Sequence, residues 1–181
     1  MRIDHVIYGT SDLDAAAARF SAADLRVEPG GAHEGIGTHN RIVPLGADYV
    51  ELLAILDPEM AAASPLGRLI AERIALGDGW MGWGVAVAGA AAEAERVGAS
   101  LIEVRRRGTG HLAGLTEALS EPFLPFFIQR EETAAAGGIE RVEVSGSRER
   151  LDTWLGGAEL PVDVVEGPPA LLAVTVRNRR L

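Results

Sequence analysis

Two strand-like runs each carry one side chain able to do chemistry. IDHVIYG, Ile3 to Gly9, holds His5 among apolar residues, and YVELLAIL, Tyr49 to Leu56, holds Glu51. Burial without a partner disfavours a charged carboxylate. Glu51 therefore either has a partner, with Arg41 and Arg107 as candidates, or is poised as a base. His5 also has two readings: a neutral core histidine bonded to a neighbour, or a residue lining a cleft. Alternation along a strand gives Tyr49, Glu51, Leu53 and Ile55 one face, and gives Ile3, His5 and Ile7 one face. If His5 and Glu51 look into a common cleft, that cleft is mostly apolar with a few polar groups. Small-molecule pockets usually have this make-up.

Other residues join them as candidates. Thr38, His39 and Asn40 alternate at the mouth of a strand. They serve either local turn bonding or hydrogen bonding to a substrate. His33 sits in a glycine-rich stretch and reads as a surface histidine. Arg105-Arg106-Arg107 is either a solvated face or an anchor for a substrate carboxylate or phosphate, which arginine grips with two parallel bonds. The chain contains neither a G-x-x-x-x-G-K-[ST] phosphate loop nor a G-x-S-x-G nucleophile elbow. With no cysteine, it has no disulfide, thiolate ligand or thiol nucleophile.

Composition narrows the classes. The 181 residues suffice for one ordinary domain or two small packed modules. Net charge is −9, from 17 basic and 26 acidic residues, which opposes nonspecific nucleic-acid binding. MRIDHVIYG becomes strand-like at once and reads as no signal peptide. No window reaches the roughly 18 uninterrupted apolar residues of a membrane helix. The expectation is a cytoplasmic globular protein without a nucleic-acid or membrane partner.

The elements that must position these residues follow from periodicity. Ile3 to Tyr8 reads as a strand, and Ser11 with Asp14 as the capping box of a helix whose stripe is Leu13, Ala16, Ala17 and Phe20. A short strand, Leu25 to Glu28, precedes the loop PGGAHEGIGTHN. Arg41 to Leu45 and Tyr49 to Leu56 then form a hairpin. This β-α-β-β-β unit spans 1–58, and 59–81 carries a connecting helix from Pro65 to Leu76. A second unit, 82–131, runs through the strand GWGVAVAG, an alanine-rich helix and the strand Ser100 to Arg105. After a loop RRGTGHLAG come segments Leu115 to Leu119 and Phe123 to Gln129 as its last strands. A third start, IERVEVSGSRERLDTWLGG, lays Ile139 on Ile3, Val142 on Val6 and Ser147 on Ser11. It opens a truncated βαββ unit over 139–181. Its apolar strand faces need cover, either within the chain or from a second subunit in a homodimer.

These segments carry a family resemblance. IDHVIYGTSDLDAA, GIGTHNRIVPLGADYVELLAILDPE and LPFFIQR resemble, in order and spacing, the glyoxalase-like domain group of the vicinal oxygen chelate superfamily. The resemblance covers residues 1 to about 130, and it implies an α+β fold in which paired βαβββ modules form U-shaped sheets around a cleft. In metal-dependent members, residues on the first and last strands of each module bind a divalent cation. It therefore implies His5 and Glu51 as ligands for Fe, Mn, Ni or Zn, and as a pair lining the cleft with Tyr49. The second module departs from the pattern. Trp83 or Gly84 matches His5, and Pro125-Phe126-Phe127 covers the place of Glu51, so no side chain there can ligate. Trp80, Trp83, Phe126 and Phe127 read as core that fills the space of the missing ligands. A third ligand would have to come from His33, His39 or His111.

Two functions stay open. One is a small-molecule-binding protein or metal-free enzyme without a cofactor, with Glu51 as base or acceptor and His5, Thr38, His39, Asn40, Tyr49 and Arg107 around the ligand. The other is a metal-dependent lyase, isomerase or dioxygenase, its ion on His5, Glu51 and a loop histidine and acting as a Lewis acid.

Overall fold

A computed structural model describes residues 1–105, 109–131 and 136–181. The first strand, β1 (Arg2–Gly9), leads into α1 (Leu13–Ala22), whose buried residues are Leu13, Ala16, Ala17 and Phe20. Asp12, not Ser11, caps this helix: its backbone is extended and its carboxylate accepts from the N–H groups of Asp14 and Ala15. Ser11 is diverted to Asp78, to which its own N–H donates at 2.9 Å and its hydroxyl at 3.0 Å.

The glycine-rich stretch read as a loop is largely strand. It forms β2 (Glu28–His33), which pairs with β3 (Thr38–Pro44) through a bulge between Pro29 and Ala32. Glycine is needed here for close approach: a Cβ on Gly30 would lie 2.0 Å from Asn40 Oδ1 and 2.4 Å from its carbonyl oxygen. The hairpin continues into β4 (Tyr49–Ile55). Two helices follow, α2 (Pro58–Ala63) and α3 (Pro65–Ala75), each opened by proline and hinged at Ser64.

The second module contains β5 (Gly79–Val87), α4 (Ala90–Val97), β6 (Leu101–Arg105), β7 (Thr109–Ala113), α5 (Leu115–Ser120) and β8 (Phe126–Gln129). Its end differs from the sequence reading: the supposed loop supplies β7, and the supposed strand is α5. Gly114, at φ +72°, stops the strand. Beyond it Leu115, Ala118 and Leu119 are buried at helical spacing.

The larger sheet has the order β2-β3-β4-β1-β5-β8-β7-β6 and curls into a half-barrel. Antiparallel β1 and β5 form its centre, and each pairs in parallel with the last strand of its own module, β4 or β8. One face buries Val6, Val50, Leu52, Trp83, Val85 and Phe127 under α1 and α4. The inner face buries Ile7, Leu53, Met81, Phe126 and Ile128 against Ile70 and Ile74 of α3 and Leu115 and Leu119 of α5.

The C-terminal part has β9 (Ile139–Ser145), α6 (Arg148–Leu155), β10 (Val162–Val165), β11 (Ala170–Val176) and β12 (Arg179–Arg180), and its four strands form a second sheet. The last strand, absent from the sequence reading, returns through Arg177 and Asn178, both at positive φ. Val142, Val144, Leu171 and Val174 join the core beside Trp83 and Phe127, so the apolar face of this sheet is covered within the chain. Arg141–Asp163 and Arg180–Glu143 ion pairs occupy exposed positions on it.

Candidate functional site

Strand alternation brings one polar cluster to the inner face. Glu51 on β4 alternates with Val50 and Leu52, which point into the helix-covered core, and it shares its side with Leu53. On β3 the residues on that side are Thr38 and Asn40. Thr38 pairs with Ile55 and Asn40 with Leu53 across the ladder. His5 of β1 looks the same way. Ile3 does not: a register irregularity between Ile3 and His5 turns Ile3 into the opposite core.

Around Glu51 the contacts are specific. Asn40 Nδ2 donates to Oε1. His33 Nε2 lies 3.7 Å from Oε1, and His5 Nε2 lies 3.8 Å from Oε2. Neither imidazole is within hydrogen-bond range of the carboxylate. His33 Nδ1 is instead 2.7 Å from the Thr38 hydroxyl, which sets its ring. Glu51, His5, Thr38 and Asn40 are all buried, and His33 and Tyr49 are half-buried.

His5 is held on its other sides. Its Nδ1 is 2.8 Å from Asp4 Oδ2, its ring stacks on Tyr49 at 4.6 Å, and Phe126 meets it edge-on at 5.2 Å. Asp4 is 2% exposed, and Arg130, directly after β8, donates to both its oxygens at 3.1 and 3.3 Å. Burial alone would raise the Asp4 carboxyl. The hydrogen bond and charge of His5 and the charge of Arg130 outweigh it, holding Asp4 below the ordinary carboxylate range. Arg130 is raised despite its own desolvation, through Asp4 first and then Tyr49.

A second buried carboxylate, Asp48, behaves oppositely: desolvation raises it, although the N–H groups of Gly138 and Ile139 donate to it at 2.8 and 3.1 Å. These bonds tie the β3–β4 turn to the start of β9.

Of the residues expected from sequence, His5, Thr38, Asn40, Tyr49 and Glu51 come together. His39 does not: it alternates with Thr38 and Asn40 onto the side of Arg41, which pairs with Asp14 of α1, so Arg41 does not serve Glu51. His39 lines a separate groove of about 530 Å³ beside α1. His111 alternates with the inward Leu112 and lies on the other side of β7. Arg107 lies outside the described residues. Sequence reasoning missed Asp4 and Arg130 altogether and took His33 for surface. A groove of about 610 Å³ at the rim, between the β2–β3 turn and α2, is lined by His33 and Thr38. The His5–Glu51 pair lies behind them.

His5 precedes the Asp12 cap by seven residues, as Gly82 precedes the cap Gly89. Two residues on, Ile7 pairs with Glu51 and Gly84 pairs with Phe126. Gly82 and Phe126 therefore stand where His5 and Glu51 stand, rather than Trp83 or Gly84 for His5, and neither can ligate. The two histidines approach opposite oxygens of one carboxylate, at 3.8 and 3.7 Å. Among the described residues no group of three or more His, Cys, Asp or Glu is arranged to hold a metal ion. Among the described residues, the donor set does not fit a resident metal.

Comparison with known proteins agrees with this architecture. A family model described as a glyoxalase-like domain matches residues 3–155. A hypothetical protein from Staphylococcus aureus superposes with a TM-score of 0.61 at 16% identity, covering 98% of this chain and 82% of its own. Methylmalonyl-CoA epimerase from Mycobacterium tuberculosis gives 0.51 at 16% identity, over 72% of this chain and 89% of its own. The Streptomyces coelicolor epimerase, in complex with 2-nitronate-propionyl-CoA, gives 0.52 at 16% identity, over 73% and 99%. No curated protein matches the chain. At these identities the solved structures establish fold alone.

Proposed function

We propose a function on a premise that the match over residues 3–155 supplies: the chain belongs to the glyoxalase-like domain family of the vicinal oxygen chelate superfamily. It binds a small organic molecule on the inner face of the half-barrel, without a cofactor, and Glu51 accepts a hydrogen bond or a proton from that ligand. One observation carries the reading. His5 Nε2 and Glu51 Oε2 face each other 3.8 Å apart, too far for a direct bond. A donor group between them, slightly off the line, lies about 2.8 Å from both: a single O–H or N–H gives its proton to the carboxylate, and an NH2 group serves both. Asn40 orients the carboxylate, and Ile7, Leu53 and Phe126 supply apolar surroundings. A carboxylate so placed is a candidate general base, since geometry comes before proton affinity in that role. His33 and Thr38 line the rim groove, and His33 Nε2 lies 3.7 Å from Glu51 Oε1.

The alternative, a metal-dependent lyase, isomerase or dioxygenase, would put the ion on His5, Glu51 and a loop histidine. What favours it is the presence of two histidine nitrogens within 3.8 Å of one carboxylate; their flanking arrangement weighs against it. A CoA ester, the class bound by the epimerases, needs its own test here because fold does not transfer chemistry. The reading includes a cytoplasmic protein with no nucleic-acid or membrane partner; the cover that the third unit finds within the chain removes the reason for a homodimer. The net charge of −9 opposes a nucleic-acid partner, and among the described residues no helix is long and apolar enough to cross a membrane.

The test is a thermal-shift screen with panels of small hydroxycarbonyls, phenols, amines and acyl-CoA esters, repeated in Glu51→Gln and His5→Ala. Ligands are expected whose affinity falls about tenfold or more in Glu51→Gln, the range of a hydrogen bond to a charged group. Ligands that bind equally well to both variants would overturn the reading.

A further inference from the structure

We infer that Asp4 and Arg130 are positioning residues: together they hold His5 in the one tautomer that leaves Nε2 bare and turned toward Glu51. The inference deepens the reading above and rests on it for its functional consequence. It also gives the second module a share in the site, through Arg130.

The geometry starts at the Arg130 guanidinium, which bonds both oxygens of Asp4 at 3.1 and 3.3 Å, while Arg2 approaches Oδ1 at 3.6 Å. A buried carboxylate gripped this way is ionised and can only accept hydrogen bonds. His5 Nδ1, 2.8 Å from Oδ2, is then the donor, and in a neutral imidazole the lone pair falls to Nε2. A buried carboxylate fixes the tautomer of a histidine in catalytic dyads in the same manner.

Consecutive residues of a regular strand point to opposite faces, so Asp4 and His5 should not meet. The register irregularity between Ile3 and His5 removes that obstacle. Bulges re-aim side chains in this way. Ring rotation, which would exchange the two nitrogens, is blocked. Tyr49 lies parallel to the ring within 6°, and Phe126 closes the other approach. Gly84 makes this packing possible, because a Cβ there would lie 2.7 Å from Phe126 and 3.2 Å from His5 Cε1. Arg130 is itself anchored, its N–H donating to the Val87 carbonyl at 2.9 Å.

Long-range ¹H–¹⁵N NMR of histidine-labelled protein, at a pH where imidazole is neutral, reads the tautomer without any ligand. The wild type is expected to show a protonated Nδ1 and a bare Nε2 on His5. Asp4→Asn should shift the proton toward Nε2, because the amide can donate to Nδ1. Arg130→Gln should do so partly, and Arg130→Lys should restore the wild-type pattern. The Arg130 side chain is 39% exposed, so these two variants stay informative even if Asp4→Asn fails to fold. For any Glu51-dependent ligand, affinity should fall about tenfold in Asp4→Asn and recover in Arg130→Lys. A wild-type proton on Nε2, or a tautomer unchanged in both Asp4→Asn and Arg130→Gln, would overturn the inference. Since this readout uses no ligand, a correct tautomer with no ligand found refutes only the proposed function. A wrong tautomer with a Glu51-dependent ligand refutes only the positioning chain.

Discussion

The two modules of the half-barrel share a plan and differ in what they place on its inner face. The first puts His5 and Glu51 at the positions where the second puts Gly82 and Phe126. Around Glu51 stand Asn40, His33 and Thr38, all from the first module. Around Phe126 stand Ile128, Leu119 and Met81, and its ring edge abuts His5. Duplication lets one copy keep polar groups while the other becomes the wall that holds them. The fold itself requires no chemistry at these positions. Substitutions in the inner wall of the second module should damage stability, and those in the polar cluster of the first, or at Arg130 that supports it, should damage binding.

The largest effect should come from Phe126→Ala, a truncation of a side chain only 2% exposed. Unfolding in urea should report a loss of about 3–5 kcal/mol. A loss below about 1 kcal/mol would mean that this module is no packed wall. Gly84→Ala comes next, because its Cβ intrudes on Phe126 and His5; about 1–3 kcal/mol is expected from overpacking. Glu51→Gln reverses the pattern. The amide keeps an oxygen for Asn40, so stability should change by less than about 1 kcal/mol while ligand affinity falls about tenfold. Equal stability losses for Glu51→Gln and Phe126→Ala would erase the distinction.

The smallest effects concern pH, and they set the two buried aspartates against each other. Asp4 is depressed in the folded state, so its contribution is present above the ordinary carboxylate range, about pH 4, and is lost as pH falls through its folded value. Asp48 is raised, so its contribution is complete below that range and is lost as pH rises through its folded value. Urea titrations between acid and neutral pH should find Asp4→Asn most harmful at neutral pH and Asp48→Asn most harmful in acid. Parallel pH curves for the two variants would contradict these assignments.

Much of this was legible in the chain. The α1 stripe and the inward face of β4 follow from periodicity, and the meeting of His5 with Glu51 followed from the family resemblance. The unread parts share a cause: they depend on local irregularity or on distant partners. A bulge moved Ile3 away from the face of His5 and brought Asp4 beside it, and alternation cannot foresee a bulge. Arg130 is 126 positions from Asp4. His33 was taken for surface because its glycine-rich surroundings suggested a loop, whereas Gly30 allows β2 to lie against Asn40. The end of the second module was misassigned because Leu115 to Leu119 is too short to separate strand from helix by period.

The central claim is that the polar groups facing the ligand come from the first module and that, among the described residues, they form no closed metal-ligand set. Elemental analysis of protein purified without chelator, in wild type and His5→Ala, tests it most directly. Wild-type metal content well below one ion per chain, and the same in His5→Ala, is the predicted result. Near-stoichiometric Fe, Mn, Ni or Zn that disappears in His5→Ala would contradict the account and establish the metal-dependent alternative.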